Sequence, residues 1–100
     1  MKYFVVTEEH GSAWNMSRSM REQEEWDEHA AFMNKLVDEG FVVLGGPLGD
    51  GSRTLLVVNA ESESRIEIRL AADPWMSMGL LKIRKIESWE IRLGTTWLRI

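Results

Sequence analysis

Apolar positions along the chain switch between two periods and break at a few glycines and prolines. Tyr3-Phe4-Val5-Val6-Thr7 is dense in β-branched and aromatic side chains and runs into polar Glu8-Glu9-His10-Gly11, which predicts a strand followed by its exit loop. From about Ser17 the period becomes helical. Trp26, Ala30, Met33 and Val37 recur on one predicted helix face, with Met20 loosely on the same edge, while Glu22, Gln23, Glu24, Asp27, Glu28, Asn34 and Lys35 cover the solvent side. Ser17 or Ser19 can cap this helix and Gly40 ends it. Phe41-Val42-Val43-Leu44 and Thr54-Leu55-Leu56-Val57-Val58 read as two strands, joined as a hairpin through the glycine-rich stretch Gly45 to Gly51. A second helix starts near Ser62 or Ser64, where Ser64 and Glu67 have capping-box spacing, and stops before Asp73-Pro74. The last strand lies within Leu81 to Leu93. Trp89, Ile91 and Leu93 alternate there, but Ile83 and Ile86 are out of phase, which predicts a bulge near Arg84 to Ser88.

Strand, helix, strand, strand, helix, strand is the order of two split βαβ units. It predicts an α+β, ferredoxin-like fold: a four-stranded antiparallel sheet with two helices on one face. Such a sheet normally carries polar residues on its other face. Here Tyr3–Val6, Phe41–Leu44 and Leu55–Val58 are apolar at every position, so both faces need cover. A second copy packing sheet against sheet is the economical cover, and a homodimer is expected. The tail after Leu93, with Trp97, is expected to add to that contact.

Composition narrows the functional classes. One hundred residues with 44% hydrophobic and 28% charged positions make one globular domain, residues 1–100. The absence of cysteine removes disulfides and thiolate chemistry. A net charge of −4 without a Lys/Arg block argues against nucleic acid, and the longest apolar run is far short of a membrane span. The N-terminus turns acidic where a signal peptide would stay apolar, which points to a cytoplasmic protein. Five tryptophans and six methionines are a heavy load of large soft side chains.

Few residues can carry chemistry. His10 sits among acidic neighbours and reads as a solvated loop residue. His29 lies on the shoulder of the Trp26/Ala30/Met33/Val37 stripe, where core meets boundary and a histidine can be tuned. Asp73, in Ala72-Asp73-Pro74-Trp75, either ends a helix or fixes the tautomer of His29. Glu25 stands one turn before His29, but no ligand cluster of metal-site spacing accompanies it, and no metal is expected. Gly45 to Gly51 lacks the order of a phosphate-binding loop.

These residues resemble a known family. His29-Ala30-Ala31-Phe32, Gly40 with Gly45-Gly46-Pro47, and Ala72-Asp73-Pro74-Trp75 are similar to the markers of the YCII-related proteins, small domains of the dimeric α+β barrel superfamily. The resemblance spans roughly residues 2 to 93. It implies a homodimer and an active site in which His29 and Asp73 face each other. Many members carry an Arg three residues before the histidine; Trp26 stands there in this chain, which implies a more aromatic pocket. Trp26, Trp75, Gly46 and Pro47 are then the expected substrate-binding residues. A histidine–aspartate pair moves a proton but supplies no nucleophile, hydride or electron sink. The expected function is therefore a cofactor-free isomerase or lyase acting on a small cyclic or aromatic metabolite. The alternative is a non-catalytic homodimeric module that binds a small molecule or a partner protein, and a third reading makes His29 a haem ligand.

Overall fold

The computed structural model describes residues 2–94; Trp97 and the rest of the tail expected to join a dimer contact lie outside them. Four strands, β1 (Lys2–His10), β2 (Val42–Leu48), β3 (Arg53–Ala60) and β4 (Leu81–Trp89), form one sheet in the order β2-β3-β1-β4, every neighbouring pair antiparallel. The helices are α1 (Trp26–Asp38), α2 (Glu63–Ala71) and a single turn, α3 (Pro74–Ser77). This is the expected ferredoxin-like α+β arrangement.

The strand register explains the core. Along β1 the period of two sends Phe4, Val6, Glu8 and His10 to the helix-covered face, opposite Val58, Leu56 and Thr54 of β3. Phe4, Val6, Leu36, Val42, Leu56, Val58, Ile66 and Leu70 are buried there as one cluster. Complete burial of a side chain such as Ile66 or Leu70 contributes about 1.5–3 kcal/mol. The expected bulge on β4 is present. Thr7 pairs with Lys85 and Glu8 with Ile83, leaving Arg84 as the extra residue that returns both Ile83 and Ile86 to the inner face.

Several boundaries differ from the sequence pattern, and each has a local cause. The first helix begins at Trp26 and not near Ser17; residues 11–25 form a loop with one 3-10 turn at Met20–Glu22. Gln23, buried despite its polarity, binds this loop together. Its amide accepts from Asn15 N–H at 3.1 Å and donates to the Asn15 carbonyl at 2.8 Å and the Arg18 carbonyl at 3.2 Å. Gly45, Gly46 and Pro47 continue β2, so the hairpin turn is only Gly49 to Ser52. Ser62, not Ser64, caps α2, accepting from Arg65 N–H at 3.2 Å. The regular part of β4 ends at Trp89, short of Ile91 and Leu93. Gly40 does end α1: its φ of 77° lets Phe41 N–H reach the Leu36 carbonyl at 3.0 Å.

Candidate active site

The site is assembled at the junction of α1, α3 and the end of β1. Asp73 precedes Pro74, whose fixed φ starts α3, and Asp73 Oδ1 caps that turn by accepting from Trp75 N–H at 3.0 Å. The same carboxylate meets His29 on α1. His29 Nδ1 lies 2.8 Å from Oδ2 and 3.0 Å from Oδ1, with the Asp73 side chain fully buried and that of His29 12% exposed. Among the described residues Nε2 of His29 has no partner, and His29 lines a cavity of about 650 Å³.

Rings hold the imidazole in place. Trp75 stacks on His29 with centroids 3.8 Å apart and planes 4° apart. The indole N–H of Trp75 donates to the Glu24 carbonyl at 2.7 Å, tying α3 to the entry of α1. Trp26 stands 5.8 Å from His29 and 5.7 Å from Trp75, and Arg21 lies over the Trp26 ring. Trp14 meets Trp75 edge-on at 5.5 Å. The loop that carries Trp14 is fixed by a close backbone approach: Gly11 N–H donates to the Leu80 carbonyl at 2.9 Å. A Cβ on Gly11 would fall 2.1 Å from the Gly79 oxygen.

Trp26, Gly46, Pro47 and Trp75 all border the cavity together with His29. Asp73, fully buried, does not border the cavity; its carboxylate holds His29 Nδ1 and Trp75 N–H. Two readings of the pattern change. The Trp26/Met33/Val37 stripe borders the cavity, leaving Val37 49% exposed, while Leu36 is the fully buried residue of α1. His10 is not a solvated loop residue: it ends β1 and stacks on Trp14 at 3.7 Å. Burial pushes its pKa down, opposed by the nearby Asp50 charge. Among the described residues no group of three His, Asp or Glu side chains is placed to hold a metal ion, Glu25 and His29 included.

Glu8 is the residue the pattern of types did not reveal. It is 2% exposed, it borders the cavity, and its Oε2 is buried without a hydrogen-bond partner. Burial, with a smaller contribution from the Asp73 charge, raises its pKa to about 7. The signal was available in the strand period, since Phe4, Val6 and Glu8 share one phase.

The YCII-related domain family matches residues 1–90. The chain belongs to the YCII-related family. No curated protein matches it. Among solved structures, this YCII-related chain is similar to 5-chloro-2-hydroxyhydroquinone dehydrochlorinase from Burkholderia phenoliruptrix AC1100, determined in complex with 2,5-dihydroxybenzoquinone. That likeness has a TM-score of 0.60 at 23% identity and covers 88% of this chain and 93% of the other. It establishes the shared fold. No helix among the described residues is long and apolar enough to cross a membrane.

Proposed function

We propose that this YCII-related protein is a cofactor-free enzyme of isomerase or lyase type in which His29 removes and returns a proton. The observation that carries the reading is the orientation of one ring: Nδ1 is held by a buried carboxylate, and Nε2 is the nitrogen left for the cavity. An aspartate on Nδ1 keeps the proton there and leaves the lone pair of Nε2 to act as a base. The negative charge of Asp73 also stabilises the imidazolium that forms. The substrate is a small ring compound, because Trp14, Trp26 and Trp75 border a cavity in the range of ligand sites, roughly 300–1,000 Å³. That a dehydrochlorinase of the same fold binds a hydroxylated quinone agrees with a flat, oxygen-bearing ring. The working form is a homodimer, supported by the apolar residues on the sheet face away from the helices.

The test is turnover with a panel of cyclic enones, phenols and quinones, followed by proton–deuterium exchange at ring carbons in heavy water. The expected result is exchange catalysed by the native protein and lost in His29→Ala, with the thermal transition of the variant retained. Exchange that survives in His29→Ala refutes the catalytic role. Loss of the fold in His29→Ala, with no exchange by the native protein, favours the binding-module alternative.

A further inference from the structure

A carboxyl group inside an apolar cavity needs an explanation, because burying an ionised carboxylate without partners is among the more costly arrangements in a protein. Glu8 is such a group. It lies between Thr54 of β3 and Ile83 of β4 in the sheet, so neither flanking strand offers it a cation. The charged and titratable groups around it are His29 on α1, Asp73 ahead of α3, His10 on its own strand, Asp50 in the β2–β3 turn and Arg18 in the loop before α1. Lys82 and Arg84 pair with Glu9, whose side chain faces the opposite side of the sheet. Asp73 is already engaged with His29 and Trp75 N–H, so Glu8 takes no hydrogen bond from that pair.

We propose that Glu8 is the acid partner of His29, its carboxyl donating a hydrogen bond to a carbonyl oxygen of the bound ring, so that the site takes cyclic or aromatic carbonyl compounds. The proposal rests on the catalytic reading of His29 and adds the substrate class. A donor of this kind must be neutral near physiological pH, and burial beside Asp73 holds Glu8 there, with its pKa raised to about 7. A carboxylic acid kept neutral by an apolar site so that it can donate to a developing oxyanion is a known catalytic device.

The step balances without a further reactant. His29 Nε2 takes a proton from a carbon conjugated with the carbonyl. The electron pair of that C–H bond moves to the oxygen, which receives the Glu8 proton and becomes an enol. Return of the His29 proton to a different carbon, and of the enol proton to Glu8, completes an isomerisation and restores both groups. A leaving group on the carbon beside the new enol double bond diverts the same enol to elimination: the enol proton returns to Glu8 as the carbonyl re-forms, the enol double-bond pair expels the group as an anion with its bonding pair, and the His29 proton leaves with that anion as its acid.

The test uses binding alone. Acetophenone is a ring ketone whose oxygen can only accept a hydrogen bond, and ethylbenzene has the same shape without the oxygen. Their affinities are measured by quenching of tryptophan fluorescence between pH 5.5 and 8.5 on the native protein, Glu8→Gln and Glu8→Leu. Acetophenone binding by the native protein is expected to weaken above pH 7 by up to about tenfold per pH unit. Glu8→Gln keeps a donor that does not titrate, so its profile should lack the fall above pH 7. Glu8→Leu should weaken acetophenone binding at pH 6 by roughly tenfold, and leave ethylbenzene unchanged. A native acetophenone profile that coincides with that of Glu8→Gln overturns the assignment, and this comparison needs no stable leucine variant. Absence of binding by either ring overturns the assignment together with the reading of the cavity, whereas binding of both without the pH difference overturns the Glu8 role alone.

Discussion

Trp75 lies flat on His29, ring centres 3.8 Å apart and planes 4° apart, and both are held by one carboxylate. Asp73 Oδ1 accepts from the Trp75 backbone N–H at 3.0 Å while the same side chain binds His29 Nδ1 at 2.8 Å through Oδ2. The aspartate therefore sets the ring plane through its neighbour and the tautomer through the histidine. Its place directly before Pro74 makes this possible, because the proline starts the turn that brings Trp75 N–H back onto the carboxylate.

Asp73→Asn separates these two duties. The amide oxygen can still accept from Trp75 N–H, but the NH₂ group then faces His29 Nδ1 and requires an acceptor there. The proton of the imidazole moves to Nε2, and the base lone pair leaves the cavity. The expected outcome is a shift of the His29 tautomer, read by nitrogen NMR, with a loss of turnover on the order of 10³–10⁴. Stability should fall by about 1–3 kcal/mol, measured by urea unfolding. An unchanged tautomer would show that the aspartate does not orient the ring.

Glu8 couples the cavity to stability. Its folded pKa of about 7 lies above the ordinary 4.5, so the folded state binds the proton more tightly than the unfolded chain. The associated stabilisation is present in full below pH 4.5, begins to be lost above it and is gone once the pH has passed about 7. Across that window the native protein should lose roughly 3 kcal/mol from this group. Glu8→Gln stays neutral throughout, so its unfolding free energy should fall less with pH and exceed that of the native protein at pH 8. Parallel pH–stability curves for the two proteins would mean that Glu8 is ionised in the fold at neutral pH.

Strand phase and helix spacing made the architecture legible, because β1, β3 and the Ile83/Ile86 mismatch are local consequences of which face is buried. The pairing of His29 with Asp73 was legible only through the resemblance of the residues around each to the YCII-related markers; helix spacing alone left His29 at a core boundary and Asp73 at a helix end. The pattern failed where polar residues do the structural work. Residues 17–25 have the composition of a helix, yet Gln23 satisfies the backbone of an irregular loop, and no period of apolar residues reports that. The stripe from Trp26 to Val37 looks the same whether it faces a core or a cavity. Glu8 was hidden for a related reason. A glutamate following Val6-Thr7 reads as the end of a strand, although its phase with Phe4 and Val6 places it inside.

Backbone strain at the entry of α1 gives a further expectation. Glu25 adopts φ 59° and ψ 29°, a left-handed conformation that costs a residue with a Cβ roughly 1–2 kcal/mol. The conformation aims the Glu24 carbonyl at Trp75 and lets the Glu25 carbonyl accept from His29 N–H at 3.0 Å. Glu25→Gly removes the strain while raising the entropy of the unfolded chain, so unfolding should become harder by up to about 1 kcal/mol. A lowered urea midpoint would indicate that the Glu25 side chain, not its backbone, matters.

The sheet face away from the helices leads to the last prediction. Tyr3, Val5, Leu55 and Val57 share that face with Leu44, opposite Val57, and Trp89, opposite Tyr3. Leu44 is 59% and Trp89 44% exposed, a degree of exposure for large apolar side chains on one sheet face that favours association. Among the described residues helices cover only the other face, and a two-fold contact of this face with its own copy would bury the same residues twice. Light scattering during size-exclusion chromatography should therefore give twice the 11.5 kDa chain mass at micromolar concentration. Leu44→Lys places a charge on this apolar face, on the edge strand β2, and should shift the protein to monomer without disturbing the His29–Asp73 pair, which lies on the helix side of the sheet. The variant also separates the interface from the chemistry: if ring binding persists in the monomer, each chain carries a complete cavity. A native protein that elutes as a monomer would refute the dimer and leave the apolar face to another partner.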